Sequence, residues 1–231
     1  MTSPKLYLSD LFSSFTIPVR SGPLQGLRMS VSSGSRLLRG TYEPAHTERL
    51  ANNLQPGDVF YDIGAHVGYL SLVASRRVGD AGQVYAFEPR PRNARFLARH
   101  IERNRLANVR LFPAGLAEIR GTLRFESRIG SGRGHLSDTG DIEVPVYALD
   151  QLLADEGLRP PTLIKMDVEG AEDRVLQGAA RTIADHHPRL MISTHGRAKF
   201  ESVMAFLDEH GYGCEVIEAP GHEDGPEIFA T

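Results

Sequence analysis

The sequence predicts an α/β fold built on a mainly parallel sheet with helices on both faces. Three observations lead there. A β-rich run, Val59-Phe60-Tyr61-Asp62-Ile63, ends in a glycine-containing turn and gives way to Leu70, Val73 and Ala74 at helical spacing. The same succession recurs at Gln83-Val84-Tyr85-Ala86-Phe87, followed by a helix with Phe96, Leu97, His100 and Ile101 on one face. Finally, 231 residues that are 41% hydrophobic and 24% charged can bury a sizeable core without metal or disulfide staples. Alternating strands and helices in one such chain make a parallel sheet covered on both sides.

Taken in order, the first 45 or so residues alternate short apolar runs with Gly, Ser and Pro, which reads as strands and turns. Helical spacing over 43–54 is stopped by Pro56-Gly57. The chain therefore divides into a small N-terminal β/α extension, 1–55, and a main domain, 56–231. Strand 59–63, helix 69–78, strand 83–87 and its helix are followed by a third strand, Val109-Arg110-Leu111-Phe112. Thr122-Leu123-Arg124-Phe125 and Ile142-Glu143-Val144-Pro145-Val146 read as strands flanking a loop, 127–140, rich in Gly and Ser. A fourth parallel strand, 162–166, ends at Asp167, and Val175, Leu176, Ala179 and Ile183 mark one following helix. A fifth runs from Arg189 to Ser193 and ends at Thr194-His195-Gly196. A helix carrying Phe200, Val203, Met204 and Leu207 stops at Gly211, before a last strand pair around Glu215-Val216-Ile217 and Glu227-Ile228-Phe229.

Ligands of such sheets bind beyond the carboxyl ends of the strands, where strand order reverses. The turn Asp62-Ile63-Gly64-Ala65-His66-Val67-Gly68 sits at the first of those ends. Gly64 and Gly68 are expected to bring the backbone close to a ligand, and the helix after them points free N–H groups at it. Asp62 suits a cofactor carrying positive charge and not a pyrophosphate. The Gly-x-x-x-Gly spacing also departs from a dinucleotide fingerprint, which argues against a nicotinamide-dependent dehydrogenase. Glu88, closing the second strand, can accept hydrogen bonds from both ribose hydroxyls.

These residues resemble the FkbM family of S-adenosylmethionine-dependent methyltransferases over most of the chain. The matching stretches are Gly40-Thr41-Tyr42-Glu43-Pro44, 56–69, Val84-Tyr85-Ala86-Phe87-Glu88-Pro89 and Ile164-Lys165-Met166-Asp167-Val168-Glu169-Gly170-Ala171-Glu172. The last is the most specific. The resemblance implies a Rossmann-like class I methyltransferase with a mostly parallel seven-stranded sheet. It implies a cofactor site of Asp62, Gly64, Ala65 and Gly68 at the methionine end, Glu88 and Pro89 at the ribose, and Ala114 with Gly115 near the adenine. Asn93 orients the turn after Glu88, and His66, Tyr69 and Asp167 complete the expected contacts. It also implies O-methylation of a sugar, polyketide or other small-molecule hydroxyl. On the fifth strand, where the family has a carboxylate followed by histidine, this chain has Ser193 and Thr194 before His195.

Methyl transfer is an in-line displacement that must align an acceptor oxygen and remove its proton. Asp167, Glu169 and His195 are the candidate catalytic groups, with His195 the preferred general base. Metal assistance is the rival: the same three residues could hold magnesium, which is not favoured. For Glu172 the favourable meeting of a carboxylate with a helix N-terminus is the better account. Tyr42, Glu43, His46, Arg133 and His135 are the candidate acceptor-binding residues.

Arg92, Arg95, Arg99 and Arg103 form a basic stripe that suggests nucleic-acid methylation, but the apolar face of the same helix makes it a solvated surface. A net charge of -3 gives no general attraction to nucleic acid or anionic membrane. A noncatalytic cofactor-binding module would leave Asp62, Glu88, Asp167 and His195 together without a reason. The single cysteine, Cys214, forms no internal disulfide. With no bilayer-length apolar stretch and no signal-type segment, a soluble cytoplasmic protein is expected. The N-terminal extension is expected to serve as a substrate lid or a homodimer contact.

Overall fold

The computed structural model describes residues 14–128, 134–217 and 225–231, so the candidate Arg133 lies outside the described residues. A hairpin of β1 (Thr16–Pro18) and β2 (Arg28–Ser30) precedes helices α1 (Ser35–Arg39) and α2 (Pro44–Asn52). The main sheet has seven strands in the order β12 (Cys214–Ile217), β13 (Glu227–Ala230), β11 (Arg189–Ser193), β10 (Leu163–Met166), β3 (Val59–Ile63), β4 (Gln83–Phe87) and β5 (Val109–Phe112). β13 runs antiparallel to both of its neighbours and the other pairings are parallel. The chain builds outward from β3 in one direction and from β10 in the other. The crevice between those two carboxyl ends is thus the place for a ligand.

Period-two alternation puts the two faces of β3 into two separate cores. Val59, Tyr61 and Ile63 join α5 (Leu149–Asp155), α6 (Glu172–Gly178), α7 (Ala180–His186) and α8 (Arg197–Glu209) on one side. Phe60 joins α2, α3 (Tyr69–Val78) and α4 (Pro91–Asn104) on the other. Val19, Leu24, Met29, Leu37, Leu50 and Leu54 are buried in that second core. The N-terminal segment therefore packs as part of the wall behind the turn at 64–68. His100 on α4 fastens it there: its Nδ1–H donates to the Val67 carbonyl at 2.8 Å and its Nε2 accepts the Ser30 N–H at 2.9 Å. Because a backbone N–H can only donate, the neutral Nδ1–H tautomer is required.

A second sheet, ordered β6 (Gly115–Leu116), β9 (Ile142–Tyr147), β7 (Gly121–Glu126) and β8 (His135–Leu136), has its own small core of Ala117, Phe125, Val144 and Val146. The expected loop over 127–140 thus carries a short strand. The expected single helix through Val175 and Ile183 is broken at Ala179 (φ -116°, ψ 3°) into α6 and α7. Gly178 lies against β6's exit, where a Cβ would stand 2.1 Å from the Ala117 carbonyl oxygen. Both pieces face the same core, which is why the apolar spacing reads as continuous. Among the described residues no helix is long and apolar enough to cross a membrane.

Candidate active site

The turn after β3 is closed on the end of β4: the N–H groups of Gly64 and Ala65 both donate to the Phe87 carbonyl, at 3.0 and 2.9 Å. Its glycines are needed because neighbouring backbone and side chains press against them. Gly64 (φ +81°) has no room for a side chain because a Cβ would lie 1.9 Å from the Asp167 carbonyl oxygen. Gly68 (φ +88°) faces Leu97 of α4, whose Cδ1 would be 2.2 Å away. The two positions therefore let β10 and α4 approach the turn, with Gly64 also lining the cleft.

Asp62 was expected beside the cofactor's positive charge. Instead its side chain is fully buried beneath the turn, accepting the Ser71 hydroxyl of α3 at 2.5 Å. Parallel register sets it opposite Lys165 of β10, whose Nζ lies 3.5 Å from its Oδ1. That ammonium also donates to the Gly64 carbonyl at 2.9 Å and lies 3.9 Å from Asp167 Oδ2. Lys165 is thus the central cation of the site, and it was not among the expected residues. A lysine inside the otherwise apolar Leu163-Ile164-Lys165-Met166 was the available signal, because a buried lysine requires partners. Burial works against its charge, yet Asp62 and Asp167 outweigh burial and raise its pKa.

Glu88, at the end of β4, accepts the backbone N–H groups of His66 at 2.7 Å and Arg90 at 2.8 Å, with Asn93 Nδ2 at 3.4 Å. Burial pushes its carboxyl up to about 7 despite those donors. It lines a cleft whose empty space, the open mouth included, is about 730 Å³. Phe87, Pro89, Gly115, Leu116, Phe125 and Leu136 make the cleft's apolar side. Phe125 and Leu136 come from the second sheet, whose packing over the cleft has no signature in the local sequence. Ala114, by contrast, is buried behind the lining. The Arg90 guanidinium donates to the Ser127 carbonyl, tying the start of the 127–140 segment to the cleft wall.

Tyr42 lines the other side of the cleft, its ring 5.3 Å from that of Tyr69. Burial, then the neighbouring Glu43, push its phenol well above the usual range. Glu43 itself occupies the left-handed region (φ +38°) at the start of α2. His46 lies apart from the cleft lining: its Nδ1 is 2.8 Å from Glu227 Oε1, between α2 and β13. His46 is therefore not part of the cleft lining, because α2 packs it against Glu227 of β13.

Asp167 and Glu169 line the cleft, and His195 stands beside them. His195 Nε2 stands 3.6 Å from Asp167 Oδ1 and 3.5 Å from Glu169 Oε2. The other ring nitrogen, Nδ1, is 2.8 Å from Oε1 of the wholly buried Glu172, which also accepts the Gly170 N–H. Glu172 thus orients the histidine as well as facing the N-terminus of α6. Burial lowers the His195 pKa, but the Glu172 hydrogen bond and the charges of Asp167 and Glu169 outweigh it and raise the value. Burial raises that of Glu169. An imidazole held this way presents its Nε2 lone pair to whatever enters between the two carboxylates, a proton or a cation. His135 stands close enough for its charge to act on Glu169.

The family model described as the methyltransferase FkbM domain matches residues 62–214, more than half of the chain. The chain belongs to the FkbM methyltransferase family. This FkbM-family chain is 26% identical over 179 residues to the hexuronic acid methyltransferase AglP of Haloferax volcanii, covering 76% of this chain and 72% of that protein. It is 27% identical over 202 residues to the 31-O-demethyl-FK506 methyltransferase FkbM of Streptomyces tacrolimicus, covering 72% and 77%. Its fold superposes on the crystal structure of methyltransferase FkbM from Methylobacillus flagellatus with a TM-score of 0.56 at 16% identity, over 98% of this chain and 59% of that one. A class I fold of the same kind, with a TM-score of 0.52 and 16% identity, is that of Aeropyrum pernix fibrillarin bound to S-adenosylmethionine.

The cofactor of this FkbM-family chain is S-adenosylmethionine, and the cleft fits it. His66 Nε2, on the turn that lines the cleft, is buried without a hydrogen-bond partner among the described residues. Buried polar atoms left in this way mark a place where a polar ligand completes the site. His66, in the left-handed region (φ +52°), is pushed down to about 4 by burial and then by Lys165, so its ring is neutral there.

Proposed function

We propose that this chain methylates a hydroxyl oxygen of a sugar or natural-product small molecule. The carrying observation is the cluster of Asp167, Glu169 and His195, whose two carboxylates line the cofactor cleft. S-adenosylmethionine, when bound, supplies a methyl group on a sulfonium centre. Glu88 takes the ribose hydroxyls, the Phe125 and Leu136 side covers the adenine, and the turn bearing His66 meets the methionine end. Tyr42, from the 1–55 segment, walls the acceptor end opposite Asp167 and excludes water from it. An alcohol is a weak nucleophile at neutral pH, so its proton must leave as it attacks. The Asp167, Glu169 and His195 cluster is where that proton is managed. The names of the hexuronic acid and FK506 relatives support an oxygen acceptor of this class.

The test is release of S-adenosylhomocysteine by the purified chain on a panel of uronic acids, neutral sugars and macrolide alcohols. Product formation on at least one hydroxyl acceptor is expected, and His195→Ala should lower turnover by about 10²–10⁴-fold while changing cofactor affinity little. Transfer confined to amine or nucleic-acid acceptors would overturn the reading.

A further inference from the structure

Resting on that reading of the acceptor end, we propose that Asp167, Glu169 and His195 form a divalent-cation site that binds and polarises the acceptor hydroxyl. One ligand atom from each of the three lies within 4.8 Å of the others. Two ligands about 2.1 Å from a common cation, at octahedral to tetrahedral angles, stand about 3.0–3.4 Å apart. The 3.5 and 3.6 Å from His195 Nε2 to the two carboxylates need a closure of only a few tenths of an ångström.

The layer behind the ligands supports the same assignment. Histidines that bind metals donate their other ring N–H to a carboxylate or carbonyl, which fixes the tautomer and aims the lone pair at the ion. Glu172 stands in that place: it is fully buried, one oxygen is 2.8 Å from His195 Nδ1, and the other has no hydrogen-bond partner among the described residues. A buried carboxylate behind an imidazole strengthens it as a ligand. The charge balance agrees. Asp167, Glu169 and Glu172 surround one histidine, and the nearest ammonium, Lys165, is shared with the buried Asp62. An added cation offsets that excess.

The site also has room for the acceptor. The three ligands are part-exposed, their side chains 40%, 26% and 21% accessible, three protein atoms leave further coordination positions of a cation unfilled, and Asp167 and Glu169 line the cleft. A hydroxyl bound at one of them loses its proton to water more readily, because a bound cation lowers the pKa of a coordinated O–H. One imidazole with two carboxylates suits a metal between the oxygen-preferring and nitrogen-preferring extremes, such as Mn²⁺.

The decisive experiment titrates Mn²⁺ alone into the metal-free full chain, read by loss of the free-ion electron paramagnetic resonance signal. One Mn²⁺ per chain is expected. Glu172→Gln should weaken binding about 10–100-fold, and Asp167→Asn and His195→Ala should abolish saturable binding. Asp155→Asn, a surface carboxylate paired with Arg120, should change nothing. Thermal melts identify any variant that does not fold, and Asp167→Asn, whose side chain is part-exposed, then carries the test alone. No saturable binding, or binding that survives Asp167→Asn in the folded chain, overturns the proposal. Calorimetry with S-adenosylhomocysteine in metal-free buffer separates the two claims. Cofactor binding without Mn²⁺ binding sinks only the cation, whereas loss of cofactor binding sinks the reading of the cleft.

Discussion

At the scale of single residues, the site is governed by two buried charges with opposite duties. In the proposed reading Glu88 accepts from two ribose hydroxyls, which calls for the carboxylate, yet burial holds its carboxyl near 7. Cofactor affinity should therefore rise with pH up to about 7 and level off above it. If only the carboxylate binds, affinity at pH 6 is roughly tenfold below the plateau. Calorimetry with S-adenosylhomocysteine from pH 6 to 8 checks this, and a flat profile would mean that Glu88 does not titrate on binding. Lys165 has the structural duty. Replacing it with Met strands Asp62 as an unpaired buried charge, which should cost about 3–5 kcal/mol of stability in urea unfolding. Adding Asp62→Asn to Lys165→Met should recover part of that loss, because it removes the stranded charge.

At the scale of elements, the strand, turn and helix units were legible because their apolar spacing is local. Val59–Ile63, Gln83–Phe87 and Leu163–Met166 fall where period and turn chemistry put them, and Glu88 was readable from its place at a strand end. What a side chain meets across the sheet was not legible. Asp62 looks like a ligand-facing carboxylate until register sets it against Lys165. Likewise, Val175 and Ile183 read as one helix because nothing in their spacing reports the Ala117 carbonyl that presses on Gly178. The glycines provide a paired test. Gly64→Ala must adopt a positive φ and displace the Asp167 backbone, whereas Gly57→Ala meets nothing within 4 Å at φ +92°. The Gly57 variant should lose about 1 kcal/mol, from backbone strain alone. The Gly64 variant should lose more and bind S-adenosylhomocysteine more weakly. Equal effects in denaturation and binding would contradict the packing role of Gly64.

At the scale of the whole molecule, the N-terminal segment, the cofactor turn and α4 act as one body through His100. Burial pushes that imidazole down to about 4, so the folded state binds fewer protons than the unfolded chain between about 4 and 6.5. Its contribution to stability is present above pH 6.5 and lost as pH falls toward 4. Glu88 has the opposite sign: raised to about 7, it contributes stability below about 4.5 that is lost as pH rises through 7. Urea unfolding of His100→Gln should accordingly show a shallower loss of stability between pH 6.5 and 5 than the parent. An unchanged slope would remove His100 from that role.

The central claim is that one cleft, at the switch point between β3 and β10 and walled by the second sheet, takes S-adenosylmethionine through Glu88. Calorimetry of the full chain against S-adenosylhomocysteine and NAD at pH 8, with Glu88→Ala beside the parent, tests it most directly. The parent should bind one S-adenosylhomocysteine and no NAD, with the variant weakened at least tenfold. NAD binding in place of S-adenosylhomocysteine, or equal affinity in the variant, would contradict it.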